Sequence, residues 1–191
     1  MDVRDPGWKP IEEGGPMFYR HVVDLLQRRG VSLNEIAEIV HELQQPYHEG
    51  LGKEQCLESV EHVLQKREVQ YAIITGVALD SLSEEQRLPQ PLQRMLEVDE
   101  PLYGLDEILA LSITNVYGTI GLTSFGYLDK TKTGVLSRLN NHDGNIHVFL
   151  DDLVAGVAAA ASARIAHENP DMERYRADLA LHDGEGCKKN D

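Results

Sequence analysis

The chain has 191 residues, 41% hydrophobic and 26% charged, with a formal charge of −14 at pH 7. That length allows one domain with a real core, and the composition is ordinary for a water-soluble globular protein. The acidic balance excludes nucleic acid as an expected partner and argues against standing attachment to anionic lipid.

Residues 1–16 hold Pro6, Pro10, Pro16, Gly7, Gly14 and Gly15 and are expected to form a flexible arm, with Trp8 as its one large anchor. Nothing in the arm has the basic-then-apolar form of a secretory signal, so a cytoplasmic location is expected. Phe18, Val22, Leu25 and Leu26 recur at helical spacing until Gly30 ends the run. Ser32-x-x-Glu35 is a capping-box sequence opening a second helix, with Leu33, Ile36, Ile39, Val40 and Leu43 inward and Pro46 beyond its end. Lys53 to Arg67 is a third amphipathic helix, with Cys56, Leu57, Val60, Val63 and Leu64 on one face. His41, His48 and His62 lack ligand spacing and suit surface or core-edge positions. Cys56 and Cys187 are far apart, and no disulfide framework or metal motif is indicated.

Glu68 to Leu82 suits a strand by Val69, Tyr71, Ile73 and Ile74, and a helix by its length and by Val77, Ala78 and Leu79. No other stretch offers a strand partner, and a lone strand is not viable, so a helix is expected with Gly76 as a close-packing point. Leu88 to Pro101 is a proline-marked connection around a short helix, Leu92 to Leu96. Gly104 to Tyr117 gives a helix starting near Asp106, Gly118 and Gly121 bracket a turn, and one more short helix leads to Asp129. The YGTIG segment lacks the Gly-Lys-Ser/Thr ending of a phosphate loop.

Asn140 to Asn145 is a turn by composition. From Val148 to Ala166 the run LVAGVAAAASA is apolar on every helical face, which places that helix at the centre of the protein. It is too short, and too soon interrupted by Arg164, for a good membrane span. Residues 169–191 form a polar tail in which Asp171 to Leu181 has the composition for a short helix, suited to docking on a partner subunit. The expected fold is all-α, a single-domain helical bundle over residues 17–168 built around the Ala-rich helix. Leftover apolar helix surface makes homo-oligomerisation the expectation.

Asp151 and Asp152 open the central helix, and Asp106 and Glu107 sit in the first turn of another apolar helix. One account is helix capping and dipole stabilisation, worth roughly 0.3–1 kcal/mol. The other is cation binding. Consecutive helical positions point about 100° apart, so one member of each pair could face a site while the other lies behind it or at the surface. His142 and His147 could supply a proton to a leaving group.

Phe125-x-x-x-Asp129-x-x-Lys132, followed by Arg138 and by Asp151-Asp152-Leu153-Val154-Ala155-Gly156-Val157, resembles the C-terminal half of the phosphatidylglycerophosphatase A family. Gly104-Leu105-Asp106-Glu107-Ile108 looks like that family's W-D-E-hydrophobic element. The match runs from Tyr103 to Ala166 and is closest to a soluble branch of YutG-like and low-temperature-requirement C-like proteins. Here Lys132-Thr133-Gly134-Val135 stands where the family has Lys-Pro-Trp-Pro, Gly126 replaces a frequent Arg, and the family's membrane-spanning segments are not recognised.

The resemblance implies metal-dependent hydrolysis of a phosphomonoester, either phosphatidylglycerophosphate or a small soluble ester, with at most transient peripheral membrane contact. It implies Mg2+, held by Asp106, Glu107, Asp129, Asp151 and Asp152, since an oxygen-only set suits that ion. Lys130, Lys132 and Arg138 would meet the substrate phosphate, and Asp129, Lys132 and Asp152 would be catalytic. Direct attack by water and a phospho-enzyme at Asp129 both stay open, as does a non-catalytic protein whose acidic cluster is structural or binds a ligand.

Overall fold

The computed structural model describes residues 16–140 and 145–168. The arm, the turn at His142 and the polar tail therefore lie almost wholly outside the described residues. Nine α-helices are described: α1 (Pro16–Arg28), α2 (Leu33–Gln44), α3 (Lys53–Leu64), α4 (Arg67–Glu84), α5 (Leu92–Glu97), α6 (Leu105–Thr114), α7 (Gly118–Thr131), α8 (Val135–Leu139) and α9 (Leu150–Glu168). The fold is all-α, with no strand among the described residues.

Helix α9 is the hub. Every residue from Leu150 to Ala163 is buried, and α2, α3, α4, α6 and α7 pack around it. Its alanines and Gly156 let those neighbours approach closely: a Cβ at Gly156 would sit 3.1 Å from the Ala110 carbonyl oxygen of α6. Two polar pins set its register. Gln44 Nε2 donates to Ser162 Oγ at 2.6 Å, and Ser59 Oγ donates to the Ala161 carbonyl at 2.9 Å, both away from water.

The capping box closes as its spacing predicts. Glu35 N donates to Ser32 Oγ while Ser32 N donates to Glu35 Oε2. Glu68 to Leu82 is helical, inside α4, and Gly76 is a close-packing point: a Cβ there would meet Leu153 Cδ1 at 2.5 Å and Phe149 Cβ at 2.9 Å. The third helix ends earlier than its pattern suggests, at Leu64, because Lys66 is extended and Arg67 opens α4.

The largest departure is at the YGTIG segment. The chain bends in a single 3₁₀ turn at Asn115–Tyr117, Gly118 takes a positive φ of 70°, and α7 starts there rather than after Gly121. Gly121 lies inside α7, where a Cβ would stand 3.0 Å from the Thr114 carbonyl oxygen, so this glycine permits the tight elbow between α6 and α7. By length and composition alone, Leu105–Thr131 is apolar enough to cross a membrane, and only 28% of its most apolar window is buried. The sequence pattern divides this stretch at its glycines. In the fold it is a bent hairpin lying along α9.

Candidate functional site

The hairpin brings its two ends to the N-terminus of α9. Asp106 opens α6, Asp129 lies in the last turn of α7, and Lys132 caps α7 in a left-handed conformation with φ 46°. That conformation is uncommon for a residue with a Cβ. It ends the helix through a bond from Lys132 N to the Leu128 carbonyl at 2.8 Å.

The Lys132 ammonium donates to Asp129 Oδ1 at 2.7 Å, Asp151 Oδ2 at 2.9 Å and Asp152 Oδ1 at 3.2 Å. Asp151 and Asp152 are both buried, and both face this one cation. Neither is therefore the surface member of its pair. Asp151 Oδ1 also accepts from Asp152 N at 2.9 Å, so a capping role and a site role coexist in one side chain.

These groups line a cavity of about 210 Å³ with Asp99, Asp106, Glu107 and His147. Asp106 Oδ1 is buried there with no hydrogen-bond partner, while Glu107 is exposed at the rim. Burial raises the pKa of Asp106 and of Asp151, and burial together with the Asp151 charge pushes Asp152 up to about 8. For Lys132 burial acts to lower the pKa, but Asp151 and the bonds to its carboxylates outweigh it, and the ammonium is held firmly protonated.

Three other residues hold the site in shape. Asp80 of α4 is fully buried and accepts from Phe149 N at 3.1 Å and Leu150 N at 3.0 Å, so it caps α9 from a different helix. Arg29 and Glu84 pair through two 2.8 Å bonds. Arg29 Nη2 donates to the Ile146 carbonyl at 2.6 Å, and Glu84 accepts from Ile146 N at 2.8 Å. The strap leading into α9 is thereby fixed on both sides, with His147 Nδ1 at 3.0 Å from Arg29. The sequence signal for Asp80 is its phase, since it continues the buried stripe Val69, Ile73, Gly76 and Val77.

Two expected phosphate-binding residues stand elsewhere. Arg138 Nη2 donates to the Gly30 carbonyl at 2.6 Å and to Glu35 at 2.8 Å, tying α8 to the start of α2 outside the cavity. Lys130 is exposed and does not line the cavity.

The donor set suits a hard divalent cation: it is mostly oxygen, carries more negative charge than Lys132 balances, and includes the unpartnered Asp106 oxygen. With Lys132 at the focus, no group of three or more His, Cys, Asp or Glu side chains among the described residues is arranged to hold a metal ion. The chemistry of the set fits Mg2+ better than its present spacing does.

The family model described as Phosphatidylglycerophosphatase A matches residues 24–167. The chain belongs to the phosphatidylglycerophosphatase A family. Within that family it is 55% identical over 150 residues to the uncharacterized protein YpjQ of Bacillus subtilis (strain 168), spanning 78% of this chain and 85% of that one. It is 54% identical over 143 residues to the uncharacterized protein YutG of the same organism, spanning 74% and 86%. The crystal structure of low temperature requirement C protein from Listeria monocytogenes superposes with a TM-score of 0.77 at 54% identity, over 78% of this chain and 95% of that one. The resemblance drawn from the Asp129, Lys132 and Asp151-Asp152 motifs thus holds for the family and for the branch.

Proposed function

We propose that this member of the phosphatidylglycerophosphatase A family is a Mg2+-assisted phosphomonoester hydrolase acting on a phosphorylated lipid or a small phosphate ester. The observation that carries this reading is the meeting of Asp129, Asp151 and Asp152 at the Lys132 ammonium, beside the unpartnered Asp106 oxygen.

In this reading Asp106, Asp129, Asp151 and Asp152 would hold the ion, with Glu107 at the rim. When bound, the ion would supply positive charge against the phosphate and a lowered pKa for an attacking water. Lys132 exchanges a carboxylate partner for a non-bridging phosphate oxygen, acting as a point charge. Asp129, the least buried of the carboxylates on Lys132 with a side chain 34% exposed, would take a proton from water, or would attack phosphorus itself, expelling the alcohol and leaving an aspartyl phosphate for water to cleave. Asp80 and the Arg29–Glu84 pair keep the start of α9 rigid, so the carboxylates need not reorganise during reaction.

The test is phosphate release from phosphatidylglycerophosphate in detergent micelles and from soluble monoesters, in Mg2+ or EDTA. Wild type should turn over only with Mg2+. Asp129→Asn and Asp152→Asn should each lose roughly 100-fold or more, the scale of a lost acid–base group. The preferred ester identifies the substrate class, and a folded protein inert on every ester would end the proposal.

One observation favours a second reading, a structural ion cluster without catalysis: Lys132 already satisfies three carboxylates. It predicts that Mg2+ leaves the melting temperature unchanged. The hydrolase reading predicts a rise that Asp152→Asn removes.

A further inference from the structure

From Ile108 to Leu128 the chain has no Asp, Glu, Lys, Arg or His, in a protein whose residues are 26% charged. That run makes up nearly all of the α6–α7 hairpin, and much of it faces outward. Leu105, Ile108, Val116, Leu122 and Tyr127 are 56%, 60%, 48%, 38% and 55% exposed. Single exposed apolar residues need no explanation, but five of them on one hairpin do.

We propose that this hairpin face is where two copies of the chain pair about a two-fold axis. The inference is independent of the phosphatase reading. Charge argues for the partner. Each chain carries a formal −14, so two copies meeting on most faces would bring like charges together, and this face has none to repel. Shape agrees with charge. Gly126 lies on the exposed side of α7 with nothing within 4 Å of a would-be Cβ, and Ser112 and Thr119 are also small and exposed, so a facing helix can come close. Alongside α7 runs a groove of about 740 Å³ whose lining includes Leu43, Tyr47, Ile120 and Tyr127, open to receive side chains from the second copy.

A lipid bilayer is the less suitable cover. The hairpin bends at Gly118, and its helices α6 and α7 have 10 and 14 residues, each short of the roughly 20 needed to span. Pairing has a structural consequence for the acidic cavity: Asp106 and Asp129 stand at the two ends of the hairpin, so clamping its outer face restrains both.

The test is sedimentation velocity of the full chain over a dilution series, with flotation on phosphatidylcholine vesicles in parallel. Wild type should sediment as a concentration-dependent dimer and should not float. Ile108→Lys and Leu122→Lys each set two like charges against one another across the axis and should weaken association by roughly 100-fold or more. Val98→Lys, exposed but off the hairpin, should leave the dimer intact. Circular dichroism establishes that each variant is folded, and Ile108→Lys, at the more exposed position, covers the case in which Leu122→Lys unfolds. A monomer at every concentration, a dimer indifferent to both lysines, or a monomer that floats with vesicles would each overturn the proposal.

Discussion

Gly76 tests whether close helix packing or helix propensity decides stability around α9. Replacing it with Ala gains about 0.5–1 kcal/mol, because glycine costs that much in a helix interior. Against this, the new Cβ would lie 2.5 Å from Leu153 Cδ1 and 2.9 Å from Phe149 Cβ. The leucine methyl is the end of a flexible side chain and can turn aside. The phenylalanine Cβ is fixed to the backbone at the entrance of α9, so α4 must move away from it. Overpacking costs about 1–3 kcal/mol, and a clash with an atom fixed to the backbone belongs to the upper half of that range, about 2–3 kcal/mol, leaving a net destabilisation of about 1–2.5 kcal/mol. For a domain of this size that is a fall in Tm of roughly 2–10 °C. Gly156 gives the graded comparison. Its Cβ would meet the Ala110 carbonyl oxygen at 3.1 Å, a milder clash with less to yield, so Gly156→Ala should lie near neutral to about 1 kcal/mol destabilising. Urea denaturation followed by circular dichroism measures both. If Gly76→Ala were as stable as wild type or more so, the close approach of α4 to α9 would be refuted.

Above roughly pH 8, where the Asp80 carboxyl is ionised in the folded chain, Asp80→Asn keeps the shape but accepts only one of the two N–H bonds from Phe149 and Leu150, leaving a buried donor unpaired at about 1–3 kcal/mol. Denaturation should show that loss, and any phosphatase activity should fall further than the folded fraction does. Burial pushes the Asp80 carboxyl up to about 8, so between its unfolded value near pH 4 and roughly pH 8 the folded chain holds a proton that the unfolded chain has released. Stability should therefore decline from roughly pH 4 to roughly pH 8 and then level, and the decline should flatten in Asp80→Asn; an identical slope in the variant would remove Asp80 as its cause. Arg138→Ala breaks a half-exposed contact with Glu35 and the Gly30 carbonyl, so it should cost no more than about 1 kcal/mol and leave KM unchanged. A tenfold rise in KM would return its guanidinium to the substrate.

The helices are readable wherever local pattern and tertiary demand agree. An all-apolar, Ala-rich run has only one comfortable place, and α9 occupies it. The Ser32–Glu35 cap and the glycine after α1 act over a few residues, so spacing alone reveals them. The elbow between α6 and α7 is hidden for the opposite reason. Two glycines close together look like a turn, yet only Gly118 takes a positive φ. Gly121 is glycine because of a carbonyl seven positions earlier, brought near by the bend itself.

The cavity divides in the same way. Asp129 and Lys132 are one helical turn apart, and Asp151 and Asp152 are neighbours, so each group can be found in a short motif. What no motif contains is the reason that they meet. Asp80 acts on the backbone of Phe149 and Leu150, and Arg29 acts on the carbonyl of Ile146, across separations that periodicity cannot see. Such residues leave a weaker trace, a charge falling in phase with a buried stripe. That trace is nonetheless physical, because a buried carboxylate must find donors, and in an all-helical core the donors left free are those at the start of another helix. Asp80 meets both needs at once: it satisfies the exposed N–H groups of α9, and by doing so it fixes where Asp151 and Asp152 begin.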